Sequence, residues 1–257
     1  MKELLTNYGK ISAIFWDIPP AGRDPSINEY VRSLQPGILI NDRGYDKGDY
    51  STPERCVPEG AFQRRTEACQ SVGAESWGYR SNEDYFTSAH LVDSIDKILS
   101  KGGNYLINVG PDEKGRIPEE AALRLKRIGR FYRSARESYL GCRTLKGTRF
   151  PMTASEDALY VHLPAGFPQT GVNLRPLQEL PWDACILGRE EKLYAEVVKM
   201  PSEFFHSPEI LPHLHIGGLP SEEMGGYPMI LRLRFQNLEK ICDQLETSSS
   251  EWKGRIL

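Results

Sequence analysis

The chain has no apolar run near the roughly 18 residues that a membrane span requires. It has no excess of either charge: 32 Lys and Arg against 35 Asp and Glu leave a net −3. That balance excludes the electrostatic footprint of a nucleic-acid binder or of a protein drawn to anionic lipid. Its five cysteines, Cys56, Cys69, Cys142, Cys185 and Cys242, form no CxxC pair and are odd in number. A zinc ribbon or a disulfide framework needs more than that, so they are read as separate reduced thiols. Phosphate loops of the GxGxxG or GxxxxGKS/T type are absent, and Gly102-Gly103-Asn104 is better explained as a helix stop. The opening Met1-Lys2-Glu3-Leu4-Leu5 lacks the apolar stretch and cleavage site of a signal peptide, and the compartment stays unassigned. The histidines, His90, His162, His206, His213 and His215, are few. His213 and His215 would face one side of a strand, but no third ligand accompanies them. Both are read as ordinary surface or loop residues, and no metal or cofactor is expected.

What is present is ordinary globular composition, 39% hydrophobic and 26% charged over 257 residues, enough to bury a sizeable core. The first part alternates strand and helix. Ile11 to Trp16 reads as a buried strand. Asp24-Pro25-Ser26 opens a helix with Ile27, Tyr30, Val31 and Leu34 on one stripe, and Pro36-Gly37 closes it. Ile38-Leu39-Ile40 is a second strand, and Glu67 to Val72 a third. His90 to Leu99 is an amphipathic helix stopped by Gly102-Gly103. Tyr105 to Val109 is another strand, and a long helix runs from Pro118 to about Tyr139. This order predicts a parallel α/β fold with functional residues at the C-terminal strand ends. After Gly141 the pattern changes to short strands separated by Pro and Gly: Leu159–Leu163, Gly171–Leu174, Ala184–Leu187, Leu193–Lys199, Leu214–Ile216 and Met229–Phe235. The division expected is 1–141, parallel α/β, and 142–257, a small antiparallel β-sandwich whose tail starts as a helix and ends polar.

Three polar clusters fall at strand ends: Asp17, then Asn41-Asp42-Arg43, then Asn108 with Gly110-Pro111-Asp112. Glu54, Glu67, Trp77 and Tyr79 lie on or near the long loop region. Carboxylates, an arginine and aromatic rings without metal ligands suit a neutral polyhydroxylated ligand. Sugar rings stack on Trp or Tyr and exchange charge-assisted hydrogen bonds with Asp, Glu and Arg. Two carboxylates are also the minimal equipment for glycoside hydrolysis. Plainer accounts stand beside each residue. Asp17 serves equally as a turn residue or helix cap, and Arg43 as a salt bridge to Asp42 or Asp46. Glu54 serves as a solvated loop acid, and Trp77 and Tyr79 as packing for a loop on the rim.

Taken in order, these residues resemble the α-L-fucosidases of glycoside hydrolase family 29. Ile14-Phe15-Trp16-Asp17 is similar to the strand bearing that family's nucleophile, and Ile40-Asn41-Asp42-Arg43 to its Asn-Asp-Arg strand. Asp49-Tyr50-Ser51-Thr52-Pro53-Glu54 is similar to the loop with the general acid/base. Glu67-Ala68-Cys69-Gln70-Ser71 followed by Ser76-Trp77-Gly78-Tyr79, and Lys101 through Pro111, match two further stretches. The resemblance covers about Leu4 to Tyr139 well and the remainder more loosely. It implies a (β/α)8 barrel with a C-terminal sandwich, and a retaining hydrolase that releases α-L-fucose from glycans through a covalent glycosyl-enzyme. Asp17 would be the nucleophile and Glu54 the acid/base, with Glu67 its rival. Arg43 and Trp77 would line the fucose pocket.

The family's barrel has several strands before the one bearing the nucleophile, and they carry side chains that grip the sugar. The resemblance therefore implies that this chain is the C-terminal portion of the barrel plus the sandwich, with little turnover by itself. Open sheet edges would favour pairing, so a homo-oligomer is compatible with this reading. A rival function is a non-catalytic carbohydrate-binding protein working through its β domain.

Overall fold

The computed structural model describes all residues except 19, 58, 59, 190, 204–206 and 253–257, and leaves the side chains of 200–211 and 248–252 undescribed. His206 thus lies outside the described residues.

The parallel part contains α1 (Lys2–Asn7), β1 (Ala13–Ile14), α2 (Pro25–Leu34), β2 (Leu39–Ile40), β3 (Glu67–Ser71), α3 (Ser88–Ser100), β4 (Asn104–Asn108) and α4 (Glu119–Ala135), which ends in a 3-10 turn, Arg136–Ser138. Asp24 caps α2 by accepting from the Ser26 N–H at 3.1 Å, with Pro25 preset in the first turn. Thr87 Oγ1 accepts from the His90 N–H at 3.2 Å and so starts α3 earlier than its apolar stripe suggests. Gly102, at φ +82°, ends it. The N–H groups of Gly102 and Gly103 reach back to the Leu99 and Ile98 carbonyls, a turn that only a left-handed residue closes cheaply.

β1 pairs in parallel with β2, and β3 with β4. Single bridges, Asn41 with Tyr50, Ser51 with Thr66 and Glu54 with Cys69, insert residues 50–54 between them. The result is five parallel segments in sequence order. Strand β1 is shorter than Ile11–Trp16 because its ladder with β2 ends at Ile14–Ile40. Side chains alternate across these segments. On the outer side Ile14 and Ile40 pack with Leu5, Val31 and Ile38, while Tyr105 and Ile107 meet Leu91, Val92, Ile95 and Ile128 of α3 and α4. On the inner side Phe15, Leu39 and Leu106 stand exposed.

The second part adds β5 (Arg143–Thr144), β6 (Met152–Ala154), β7 (Leu159–Leu163), β8 (Gly171–Leu174), β9 (Asp183–Ile186), β10 (Tyr194–Glu203), β11 (Ser207–Gly217), β12 (Met229–Arg234) and α5 (Leu238–Trp252). Two antiparallel sheets, ordered β5-β6-β7-β12-β9 and β10-β11-β8, face each other. Leu159, Val161, Leu163, Leu231 and Leu233 of the first seal against Val172, Leu174, Leu214 and Ile216 of the second. Helix α5 is longer than the polar tail expected from sequence. Leu238, Ile241, Cys242 and Leu245 recur at helical spacing and enter this same core.

The seam between the two parts is polar and buried. Asp96 of α3 accepts from the Tyr139 hydroxyl at 2.7 Å, and the same oxygen lies 2.7 Å from His162 Nδ1 of β7. His162 Nε2 is 3.0 Å from Thr153 Oγ1, whose hydroxyl donates to the Ser138 carbonyl at 2.6 Å. Burial, reinforced by the Asp96 charge, pushes the Tyr139 hydroxyl well above its ordinary range, so it stays a donor. His162 belongs to this network, and the surface assignment of His213 is corrected, since it is buried in β11. Val161 and Leu163 beside His162, and Leu214 beside His213, are apolar residues of the sandwich core, and the tertiary contacts that bury the histidines leave no local trace.

Candidate active site

The site grows out of the rim where the five parallel segments end. Asn41 is fully buried and its amide closes the gap after the last β1–β2 pair. It donates from Nδ2 to the Trp16 carbonyl at 2.8 Å and accepts from the Trp16 N–H at 2.7 Å. The Trp16 indole donates to Asn28 of α2 at 3.1 Å and meets Tyr45 edge-on. With Trp16 fixed on the outer side, the next residue, Asp17, turns to the inner side, where its side chain is 81% exposed.

Arg43 follows two residues after Asn41 and points the same way. Its side chain is only 13% exposed, and the guanidinium uses each of its three nitrogens. Nε donates to Thr52 Oγ1 and Nη2 to the Thr52 carbonyl, both at 2.8 Å. Nη1 reaches Asp17 Oδ1 at 3.5 Å and forms a short contact with Glu54 Oε1. The cation also lies 5.1 Å from the Phe15 ring centre. The salt bridge to Asp42 or Asp46 that the sequence allowed is not formed. Asp42 accepts from the Thr52 N–H at 3.1 Å and its hydroxyl at 3.2 Å, and Asp46 pairs with Arg23. Thr52 thus relays Asp42 to Arg43, a contact that sequence reasoning missed although Thr52 shares the inner-face parity of Glu54.

Glu67 lies lower. It opens β3 opposite Asn104, whereas Cys69, two residues on, is level with Glu54. Burial pushes the Cys69 thiol up; Arg43 opposes this, and Glu67 and Glu54 add to it. Burial and then the Glu67 charge likewise raise Tyr50. Glu67 therefore faces the same inner side, beneath the rim.

Trp77 lies farther along the rim, beyond the end of β3. Its carbonyl accepts from the Asn108 side chain at the end of β4. Arg55 lies against its ring, with the guanidinium carbon 4.9 Å from the ring centre. Gly110 explains the shape of this corner. A Cβ there would overlap the backbone of Gly78 and Tyr79, so the Ser76–Tyr79 loop can close onto the β4 end only over a glycine. The structure thus brings Asp17, Arg43, Glu54 and Thr52 into one contact set, puts Glu67 beneath it and Trp77 beside it. Among the described residues no group of His, Cys, Asp and Glu is arranged to hold a metal ion.

The family model for α-L-fucosidase matches residues 1–137. Tissue α-L-fucosidase of Bos taurus is 30% identical over 103 residues, 37% of this chain and 22% of the relative. Plasma α-L-fucosidase of Rattus norvegicus is 33% identical over 96 residues, 36% of this chain and 20% of the relative. Among solved structures, α-L-fucosidase isoenzyme 1 from Paenibacillus thiaminolyticus superposes with a TM-score of 0.70 at 25% identity, over 91% of this chain and 60% of that one. A Bacteroides thetaiotaomicron α-L-fucosidase, trapped as a covalent intermediate with 2-fluoro-fucosyl fluoride, gives 0.67 at 20% identity over 91% and 58%. The alignments span about a fifth of the curated relatives and under two thirds of these structures. The match to the family model takes in more than half of the present chain, and on that ground the chain belongs to the α-L-fucosidase family.

Proposed function

We propose that the chain carries the catalytic carboxylate pair of a retaining α-L-fucosidase, acting on terminal α-L-fucose of glycans. Asp17 attacks the anomeric carbon, and Glu54 protonates the leaving oxygen and then activates water. The observation that carries this reading is the contact of one nitrogen, Arg43 Nη1, with both carboxylates. Two acids touching the same atom belong to the close-set class of roughly 5–5.5 Å rather than to the wide-set class of roughly 6.5–9.5 Å that leaves room for a water. Glu54 is preferred to Glu67 because it stands at the rim, where a leaving group enters. Arg43 holds the pair in register and Trp77 offers an apolar wall to the sugar. No cofactor enters this chemistry.

In this reading residues 1–141 are the C-terminal portion of a (β/α)8 barrel and 142–257 its sandwich domain. The exposed inner-face residues Phe15, Leu39 and Leu106 support it, since a closed barrel would cover them. Steady-state turnover by the chain alone is then weak, because transition-state binding also draws on side chains that the rest of a barrel supplies. A single-turnover measurement suits such a catalyst. Incubation with 2-fluoro-fucosyl fluoride is expected to add one fluorofucosyl group, mapped by mass spectrometry to Asp17. Asp17→Ala should abolish the adduct while leaving the melting temperature unchanged, as befits an exposed side chain. Failure to label Asp17, or labelling of another carboxylate, would overturn the assignment.

A further inference from the structure

We propose that Arg55 is a positioning residue that clamps the Trp77 ring in register with Glu54; this rests on the fucosidase reading of the site. Arg55 is the one non-glycine residue at positive φ among the described residues, at +48°. A side chain there is disfavoured by its own Cβ and persists only where surrounding contacts hold it. Those contacts converge on one loop. The Arg55 N–H donates to the Cys69 carbonyl at 2.9 Å, which keeps its backbone on β3. Nη2 donates to Ser71 Oγ at 2.9 Å, and Nη1 donates to the Ala74 carbonyl. Ser71 Oγ in turn donates to the Gly73 carbonyl. With those edges occupied, the guanidinium carbon lies over the Trp77 ring, 4.9 Å from its centre.

The loop is also held from behind by a carboxylate. Glu83, whose side chain is almost wholly buried, accepts from the Glu75 N–H at 2.7 Å and the Ser76 N–H at 3.3 Å. Asn108 fixes the Trp77 carbonyl, and Gly110 receives the Gly78–Tyr79 backbone. The contacts of Glu83, Asn108 and Gly110 all act on main chain. Arg55 acts on the indole itself, and it is the residue directly after Glu54. A shift of the ring is therefore a shift of the acid's neighbour: wall and acid/base move as one body. The planar, forked guanidinium makes this possible, since it can stack on a ring while both its ends donate. A lysine ammonium can take either role but not both at once.

The test uses the full chain with Arg55→Lys, Arg55→Met and Arg55→Gly. Glycine accepts φ +48° and so removes the clamp without straining the backbone, which guards against a variant that merely misfolds. Trp77 emission is taken as the difference between each protein and its Trp77→Phe counterpart. Loss of the stacked cation is expected to red-shift that emission and raise acrylamide quenching about twofold in the Met and Gly variants, with Lys between them and wild type. Unchanged Trp77 emission in both Met and Gly overturns the clamp, whatever the activity. Hydrolysis of two fucosides then reads the link to Glu54. Arg55→Gly should lose on the order of tenfold more on a methyl fucoside, which needs the acid, than on a dinitrophenyl fucoside, which does not. Equal losses on both overturn that link. A wild type that neither hydrolyses nor is labelled sinks the fucosidase reading, and the emission arm still decides the clamp.

Discussion

Between the sheets of the antiparallel part, Leu159, Val161, Leu214 and Leu231 are sealed from solvent, whereas on the inner face of the parallel segments Phe15, Leu39 and Leu106 are exposed. The first region spends its side chains on one continuous core. The second gathers its apolar clusters on the helix-facing side, one around α2 and one around α3–α4. The difference shows where chemistry can be placed. Residues on the inner rim carry little of the packing, so Asp17, Arg43 and Glu54 are free to be polar and to face one another.

Substitutions should separate the two regions. Leu231→Ala removes a fully buried side chain from the centre of the sandwich and is expected to cost about 2–5 kcal/mol in urea unfolding. Leu39→Ser, on the inner face, should change stability by no more than about 0.5 kcal/mol. Equal costs would mean that the inner face is packed in solution, which breaks the contrast. Gly110→Ala tests the rim. Its methyl group meets the Gly78–Tyr79 backbone, so a loss of about 1–3 kcal/mol is expected, together with altered Trp77 emission. A neutral result would show that the corner is looser than its geometry.

The smallest effect concerns acid. Burial alone would raise the Asp49 carboxyl, but the Arg32 guanidinium and the Ile40 N–H outweigh it and hold the group below its ordinary value. A carboxyl with a lowered folded pKa contributes above its unfolded value of about 3.9, and that contribution is lost as pH falls through the folded value. Asp49→Asn should therefore lower stability at pH 6 by under about 1 kcal/mol, since the pair is partly exposed. The difference from wild type should close as the pH falls below the unfolded value and through the lowered folded one. A difference that persists there would assign Asp49 a role other than charge.

Much of this site was readable from sequence, and for a physical reason. A strand end with an acid after a buried aromatic, and an Asn-Asp-Arg string after an apolar strand, announce both a position and a facing. β7 and β8 matched their apolar runs residue for residue, since strands bounded by turn residues leave little freedom. The misses share another cause. β5 and β6 are short, and their identity comes from partners rather than periodicity. The left-handed turn at Arg55 has no sequence signal, because arginine is not a residue that favours it. Arg43 was open to a local salt bridge because Asp42 and Asp46 are near in sequence. Thr52 and Glu54, which won the contact, come close only when residues 50–54 enter the sheet.

The seam through Asp96, Tyr139, His162 and Thr153 has a consequence for anyone recombining such proteins. An apolar joint tolerates sliding, but a one-residue slip here would leave a carboxylate and an imidazole buried without their partners, at about 1–3 kcal/mol each. The joint is keyed. A sandwich borrowed from elsewhere would seat on α3 only if it brought a histidine and a threonine to the places of His162 and Thr153, however well its own core was packed.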